Sequence, residues 1–184
     1  MGRVRREDAS YTANFCEENV WQLCQRPELA SRRRDAVFIS NAHKACPLWM
    51  QRASPHPREP VMWDYHVILL VDDDGGWHVW DLDTRLPFPC ALEQYLRGTF
   101  PYELVDAYQP RFRLVDAETF VATFASDRSH MRRDDGSWTS PPPPWPAIRT
   151  ATETMNLMRF VDVGRAFVGD VLTLDELRAR PRPR

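Results

Sequence analysis

Two apolar runs, Val61 to Val71 and Trp77 to Asp83, flank the stretch Asp72-Asp73-Asp74-Gly75-Gly76, and no other feature constrains the fold so strongly. Val, Ile and Trp suit a pleated, half-buried strand, and an Asp/Gly cluster supplies the turn that folds two such runs together. A β-hairpin is predicted, its second strand ended by Leu86-Pro87-Phe88-Pro89. With Asp73 and Asp74 at the turn centre, opposed residues sum to 147, and His66 faces Asp81 directly. Any odd sum keeps the two on one sheet face within pair or diagonal reach. Asp83 shares that face by the period of two, so strand geometry alone leaves both aspartates open as partners of His66.

Elsewhere the periodicity is shorter-ranged. Asn14 can cap a helix in which Glu17 reaches back and Val20, Leu23 and Cys24 form the apolar stripe. A second short helix is expected from Ala30 to Arg34, then a strand over Ala36–Ser40 and a proline-rich loop from Ala45 to Pro60. Ala91–Leu96 and Ala117–Phe124 look helical, Arg111–Val115 and Ala166–Val168 strand-like. A last helix runs from Thr173, with Glu176 three residues on, to Arg178. Residues 126–148, with the run Pro141–Pro144, read as a stiff surface loop. The mixture predicts an α+β fold: one domain over residues 1–184, a central, mainly antiparallel sheet flanked by helices, with 1–10 and 179–184 as loosely ordered tails.

Composition bounds the function. The 184 residues include seven Trp, nine Phe and five Tyr, enough apolar mass for a real core and against wholesale disorder. Lys and Arg number 24 against 26 Asp and Glu, which gives no basic footprint for nucleic acid or an anionic membrane. The longest aliphatic run, Val67 to Val71, is far short of the ~20 residues of a membrane span. The N-terminus does not lead into the apolar stretch of a secretory signal, so a soluble cytoplasmic protein is expected. Cys16, Cys24, Cys46 and Cys90 lack CxxC spacing, and the histidines lack an HExxH pattern; reduced thiols and no metal are the expectation.

Cys16 is the first chemical candidate. Near a helix start its sulfur meets the positive end of the helix dipole and unpaired N–H groups, which favour the thiolate and can hold an oxyanion. The competing reading, a small buried hydrophobe, fits Cys24 better. A histidine–carboxylate pair beside such a cysteine is the Cys-His-Asp logic of thiol acyl-transfer enzymes. The cluster Ser126-Asp127-Arg128-Ser129-His130 reads as a hydrogen-bonded loop bordering a site.

Several blocks in order resemble the protein N-terminal glutamine amidohydrolase family: Phe15–Trp21, Ala36–Asn41, Trp63–Val67, Asp81–Thr84 with Leu86–Cys90, Phe124–Met131, the proline run and Met155–Leu157. The resemblance covers nearly the whole chain. It implies a monomeric fold related to papain-like and transglutaminase-like thiol enzymes, and a triad of Cys16, His66 and Asp81, which decides between the two aspartates. It further implies conversion of the N-terminal Gln of a protein or peptide to Glu with release of ammonia, through a cysteine thioester and without metal or organic cofactor. Restriction to the chain terminus requires a carboxylate for the α-ammonium, with Glu18, Asp64 and Asp127 as candidates. The alternatives are a cysteine protease or transglutaminase-like acyl transferase with the same triad, or a silent adaptor that binds N-termini.

Overall fold

The computed structural model describes residues 4–73 and 75–180. Six strands form one antiparallel sheet in the order β6-β5-β4-β1-β7-β8: β1 (Arg34–Ser40), β4 (His66–Asp73), β5 (Gly76–Trp80), β6 (Cys90–Ala91), β7 (Arg111–Asp116) and β8 (Asp170–Thr173). A separate two-stranded ribbon pairs β2 (Cys46–Leu48) with β3 (Val61–Trp63). Helices α1 (Cys16–Cys24), α2 (Leu92–Thr99), α3 (Ala117–Thr123), α4 (Leu157–Val161) and α5 (Leu174–Arg178) cover the sheet. The α+β expectation holds.

Both faces of the sheet are covered, so the central strands are apolar throughout instead of alternating with polar residues. In β1, Ala36 and Phe38 join Val67, Leu69 and Val71 of β4 beneath α1, α3 and α4. Val37 and Ile39, with Ile68 and Leu70, face α2 and α5. The first core contains an aromatic cluster of Phe38, Phe120, Phe124 and Phe160, ring centroids 4.9–5.7 Å apart.

The hairpin forms, but its register differs. Leu69 pairs with Trp80 and Asp73 with Gly76, so opposed positions sum to 149 and the turn centre moves one residue on, to positions 74 and 75. Parity survives the shift. The long strand expected from Val61 to Val71 is interrupted at Asp64-Tyr65: its first part pairs with β2, inside the expected loop, and only its second part enters the main sheet. The helix expected over Ala30–Arg34 is replaced by a 3-10 turn at Pro27–Leu29, and Arg34 already belongs to β1.

Ala166–Val168 is not a strand; β8 starts at Asp170, after Gly169. At φ +82° this glycine lets the backbone pass so close to β7 that a Cβ would lie 2.1 Å from the Leu114 carbonyl oxygen. The preceding loop is shaped by Arg113, whose buried guanidinium donates to the carbonyls of Phe160, Asp162, Arg165 and Val168. The last helix forms as expected, with the Thr173/Glu176 capping box in place.

Positions 1–3 and 181–184 of the expected tails lie outside the described residues. The described part of the N-terminal segment does not simply fray. Val4 is buried in the first core, the Arg6 guanidinium donates to the Leu86 carbonyl, and Thr12 exchanges two hydrogen bonds with the Asn19 side chain. At the other end Arg180 pairs with Asp35 and lies over Trp77.

Candidate active site

Strand β5 stops at Trp80, opposite Leu69, so the start of β4 has no ladder neighbour from that side. The site is built in this notch. His66, the first residue of β4, points to the α2 face and is fully buried. After Trp80 the chain turns out of the sheet, which brings Asp81 to His66 despite the shifted register: Nε2 and Oδ1 are 3.0 Å apart. Asp83, which a straight ladder with this register would place opposite His66, instead accepts a 2.6 Å hydrogen bond from the Tyr11 hydroxyl.

Asp81 is held from every side. Its Oδ1 also accepts from the Asp83 backbone N–H at 2.9 Å, and Oδ2 accepts from the Tyr95 hydroxyl at 2.8 Å and from Gln51 Nε2 at 3.4 Å. Burial alone would raise its pKa, but His66 and these donors win and hold it below the usual carboxylate range. Burial likewise works against a charged His66, yet Asp81 outweighs it and the imidazole pKa rises. Asp83 moves the other way, pushed up by burial and by Asp81. His66, Asp81 and Asp83 lie close enough to share a metal ion, but four donors already use the Asp81 oxygens, and a cation there would displace them.

Cys16 reaches the same notch from α1. It is the first helical residue, preceded by Phe15 as N-cap; Asn14 adopts a left-handed φ of 67° and donates to Ser140 Oγ instead of capping. The Val67 backbone N–H, one residue after His66, faces the Cys16 sulfur and favours its thiolate. The expectation of a thiolate favoured by the helix end is corrected by the structure: burial, then Glu17, Asp83 and Asp81, push the thiol pKa well up, and the Val67 N–H offsets only part of this. Cys24 and Cys46, pushed up to about 12 by burial, are inert core thiols. Place, not acidity, sets Cys16 apart.

The polar residues after Cys16 all turn inward. Glu17, expected to reach back to the helix cap, accepts from the Tyr65 hydroxyl at 3.2 Å and from the Cys16 thiol at 3.7 Å, both through Oε2. His130 Nε2 lies 3.5 Å from its other oxygen and 3.4 Å from the Tyr65 hydroxyl. Glu18 is bound in a fork by Arg128, with both N–O distances 2.8 Å, and by Trp145 Nε1 at 2.7 Å. The Ser126–His130 loop thus borders the site as expected, and the proline run is tied to it through Arg128, which also donates to the Pro143 carbonyl.

Of the expected α-ammonium acceptors, Glu18 has its oxygens filled by Arg128 and Trp145. Asp64 is exposed between β3 and β4 and caps the Tyr65 N–H, and half-buried Asp127 caps the Ser129 N–H. The sequence reading missed Glu17 as a site residue, along with Tyr65, Tyr95, Gln51, His130 and Trp63, whose ring stacks on His66 at 5.2 Å. A weak signal existed: three consecutive polar residues, Glu17-Glu18-Asn19, follow the cysteine in a helix that must pack on the sheet. Buried polar atoms without a hydrogen-bond partner among the described residues include His66 Nδ1, Glu17 Oε1, His130 Nδ1, Trp63 Nε1 and Gln51 Oε1, a concentration that marks a place prepared for a ligand. The open cleft lined by Arg33, Asp35, Trp77 and Arg180 contains neither Cys16 nor His66.

Fold and site together define an α+β domain with a buried cysteine beside a histidine–aspartate pair, the constellation of thiol-dependent acyl chemistry. The chain belongs to the N-terminal glutamine amidase family, whose sequence profile matches residues 11–180. It is 40% identical over 183 residues to the human protein N-terminal glutamine amidohydrolase, covering 95% of this chain and 89% of the relative. It is also similar to the Danio rerio protein of that name, 43% identical over 177 residues (90% and 86% covered), and to the Bos taurus one, 40% identical over 165 residues (86% and 79% covered).

Proposed function

We propose that this protein hydrolyses the side-chain amide of an N-terminal glutamine in proteins or peptides, giving glutamate and ammonia, with Cys16 as nucleophile. The observation that carries the reading is the buried His66–Asp81 pair, its Nε2 committed to Asp81 and its Nδ1 without a hydrogen-bond partner among the described residues, with buried Cys16 brought to the same notch by α1. Membership of the family, and the activity that the relatives' names state, support the choice of substrate.

In this mechanism His66 Nδ1 takes the Cys16 proton, and the sulfur attacks the carboxamide carbon. Backbone N–H groups at the start of α1 stabilise the oxyanion. Collapse of the adduct breaks the C–N bond, ammonia leaves with the proton that His66 returns, and a thioester remains. Water, deprotonated by neutral His66, attacks the thioester; the acyl C–S bond breaks, giving glutamate, and the thiol recovers its proton. Asp81 keeps the ring in the tautomer that leaves Nδ1 free and stabilises imidazolium. No step calls on a metal or organic cofactor.

The same proposal has the chain acting as a monomer in the cytoplasm, without nucleic acid or membrane. The net charge of −2 and four unpaired thiols support it, and gel filtration tests the monomer. The deciding experiment is mass spectrometry of Gln-starting, Asn-starting and internal-Gln peptides after incubation with the protein. Conversion of the first alone is expected. Cleavage of the peptide backbone or transfer to an added amine would place the chain with the proteases or transglutaminases instead.

A further inference from the structure

We propose that Glu17 is the acceptor of the substrate's α-ammonium, and that this pairing takes an uncompensated negative charge away from the Cys16 sulfur, so that a free N-terminus itself readies the nucleophile. The proposal deepens the deamidase reading of the same site and rests on it.

Glu17 is fully buried, yet among the described residues its Oε1 has no hydrogen-bond partner. A buried carboxylate with one oxygen empty is costly unless a cationic donor arrives to fill it. Among the described residues, the cationic nitrogen within 4 Å of that oxygen is His130 Nε2, 3.5 Å away, and His130 keeps some solvent exposure, so that side of the carboxylate borders the entrance. The other oxygen is already placed by the Tyr65 hydroxyl and touches the reacting sulfur. A cation on Oε1 therefore sits next to the nucleophile. In glutamine four bonds separate the α-nitrogen from the carboxamide carbon, roughly 5 Å when extended, so one residue spans both points. Asparagine is one bond shorter and does not reach the sulfur while its amine stays anchored.

The carboxylates expected from the sequence offer no comparable place. Arg128 and Trp145 fill Glu18, and Asp64 and Asp127 stand outside the buried notch as caps of loop N–H groups. The groups facing Cys16 are Glu17 from α1, Asp81 and Asp83 from the segment after β5, and Tyr65 and His66 at the start of β4; His130 faces Glu17 from the 3-10 turn Ser129–Met131. Glu17 raises the Cys16 pKa more than any other charged group does. An ammonium on it cancels that effect, and an acetylated amine does not.

The test combines peptide kinetics with titration of Cys16 by thiolate absorbance, read as the difference from Cys16→Ala. In Glu17→Gln, KM for a Gln-starting peptide is expected to rise on the order of 10- to 100-fold, the loss of one charge-assisted pair. The preference over the acetylated peptide should shrink by the same factor, and the Cys16 midpoint should fall in the free protein. An unchanged preference with an unchanged midpoint overturns the proposal. Wild-type protein supplies an arm that does not depend on the variant folding: a Met-starting peptide, close to glutamine in shape but unreactive, should inhibit competitively and lower the Cys16 midpoint, while its acetylated form does neither. If both forms act alike, the proposal is wrong. Absence of ammonia release from Gln-starting peptides by the wild type would overturn the deamidase reading itself, and the Met-peptide titration would still decide the role of Glu17.

Discussion

Cys16 carries the central chemical problem of the proposed mechanism: as nucleophile it would stand where burial and three carboxylates disfavour its thiolate. Its fitness must come from His66 and from substrate. Replacing Cys16 by Ala or Ser is expected to abolish ammonia release while leaving the circular dichroism spectrum unchanged; activity retained in Cys16→Ala would end the thioester mechanism. Asp81→Asn should lower turnover by several decades, as loss of the orienting carboxylate does in other triads, and Asp83→Asn far less, because Asp83 bonds Tyr11 and not His66. The same pair ties stability to pH. His66 has its pKa raised from 6.5, so its charged form contributes stability fully below that value and loses it as pH climbs through the folded one. Asp81 has its pKa lowered from 3.8, so its contribution is present above that value and lost as pH falls through the folded one. The gap in urea stability between wild type and Asp81→Asn should therefore be widest between about pH 4 and 6.5 and narrow at higher pH; a gap constant to pH 9 would mean that His66 is neutral in the folded protein. Cys16, His66 and a short list of two aspartates were legible in the sequence, because strand parity tolerates a register error of two; parity left the choice between them open, and only the family resemblance made it. The turn of the chain after Trp80, which actually selects Asp81, has no signature in a period-two pattern.

A buried ion pair ties helix α1 to the Ser126–His130 loop. Arg128, in a left-handed conformation with φ 65°, forks onto Glu18, and both partners are buried. Glu18→Gln leaves a buried guanidinium without its counter-charge, so a loss of about 3–5 kcal/mol in urea denaturation is expected. Adding Arg128→Met should recover part of it. A stable Glu18→Gln protein with a raised KM and a weakened preference for free amines would instead restore Glu18 as the ammonium acceptor. Elements with strong local signals were legible: the hairpin by its Asp/Gly turn, α5 by its capping box, α1 by its apolar stripe. Elements set by tertiary partners were not. Val61–Val71 reads as one continuous strand, yet it divides between two sheets at Asp64-Tyr65, where Ser40 Oγ donates to the Asp64 carbonyl. The loop after α4 is shaped by an arginine whose four acceptors are backbone carbonyls 47 to 55 residues away, which no local window can see.

At the scale of the whole molecule, the notch around Cys16, His66 and Asp81 is closed by segments from both halves of the chain, and the N-terminal strap is one of them. Val4 enters the core at 7% exposure, the Arg6 guanidinium meets the Leu86 carbonyl, and Asp8 offers its carbonyl to Arg26. Tyr11 then bonds Asp83, and Thr12 binds the Asn19 side chain of α1. The strap therefore links the helix that carries Cys16 to the segment that carries Asp81. The Tyr11 bond also acts on charge, because it lowers an Asp83 pKa that burial has raised. Tyr11→Phe removes one partly exposed bond and is expected to cost about 1 kcal/mol, and it lets Asp83 take up a proton at higher pH than before. Deleting residues 1–12 removes the core contact of Val4 as well as the Asn19 partner, so the melting temperature should fall by several degrees more than in Tyr11→Phe. Turnover of Gln-starting peptides should fall further in the deletion than in the point variant, because Asn19 is then left buried without its two backbone partners, three residues from Cys16. Differential scanning calorimetry and peptide kinetics on the two variants check this. A deletion protein that matches the wild type in both would show the strap to be a passenger, and the geometry of the notch would then rest on Glu18, Arg128 and the sheet alone.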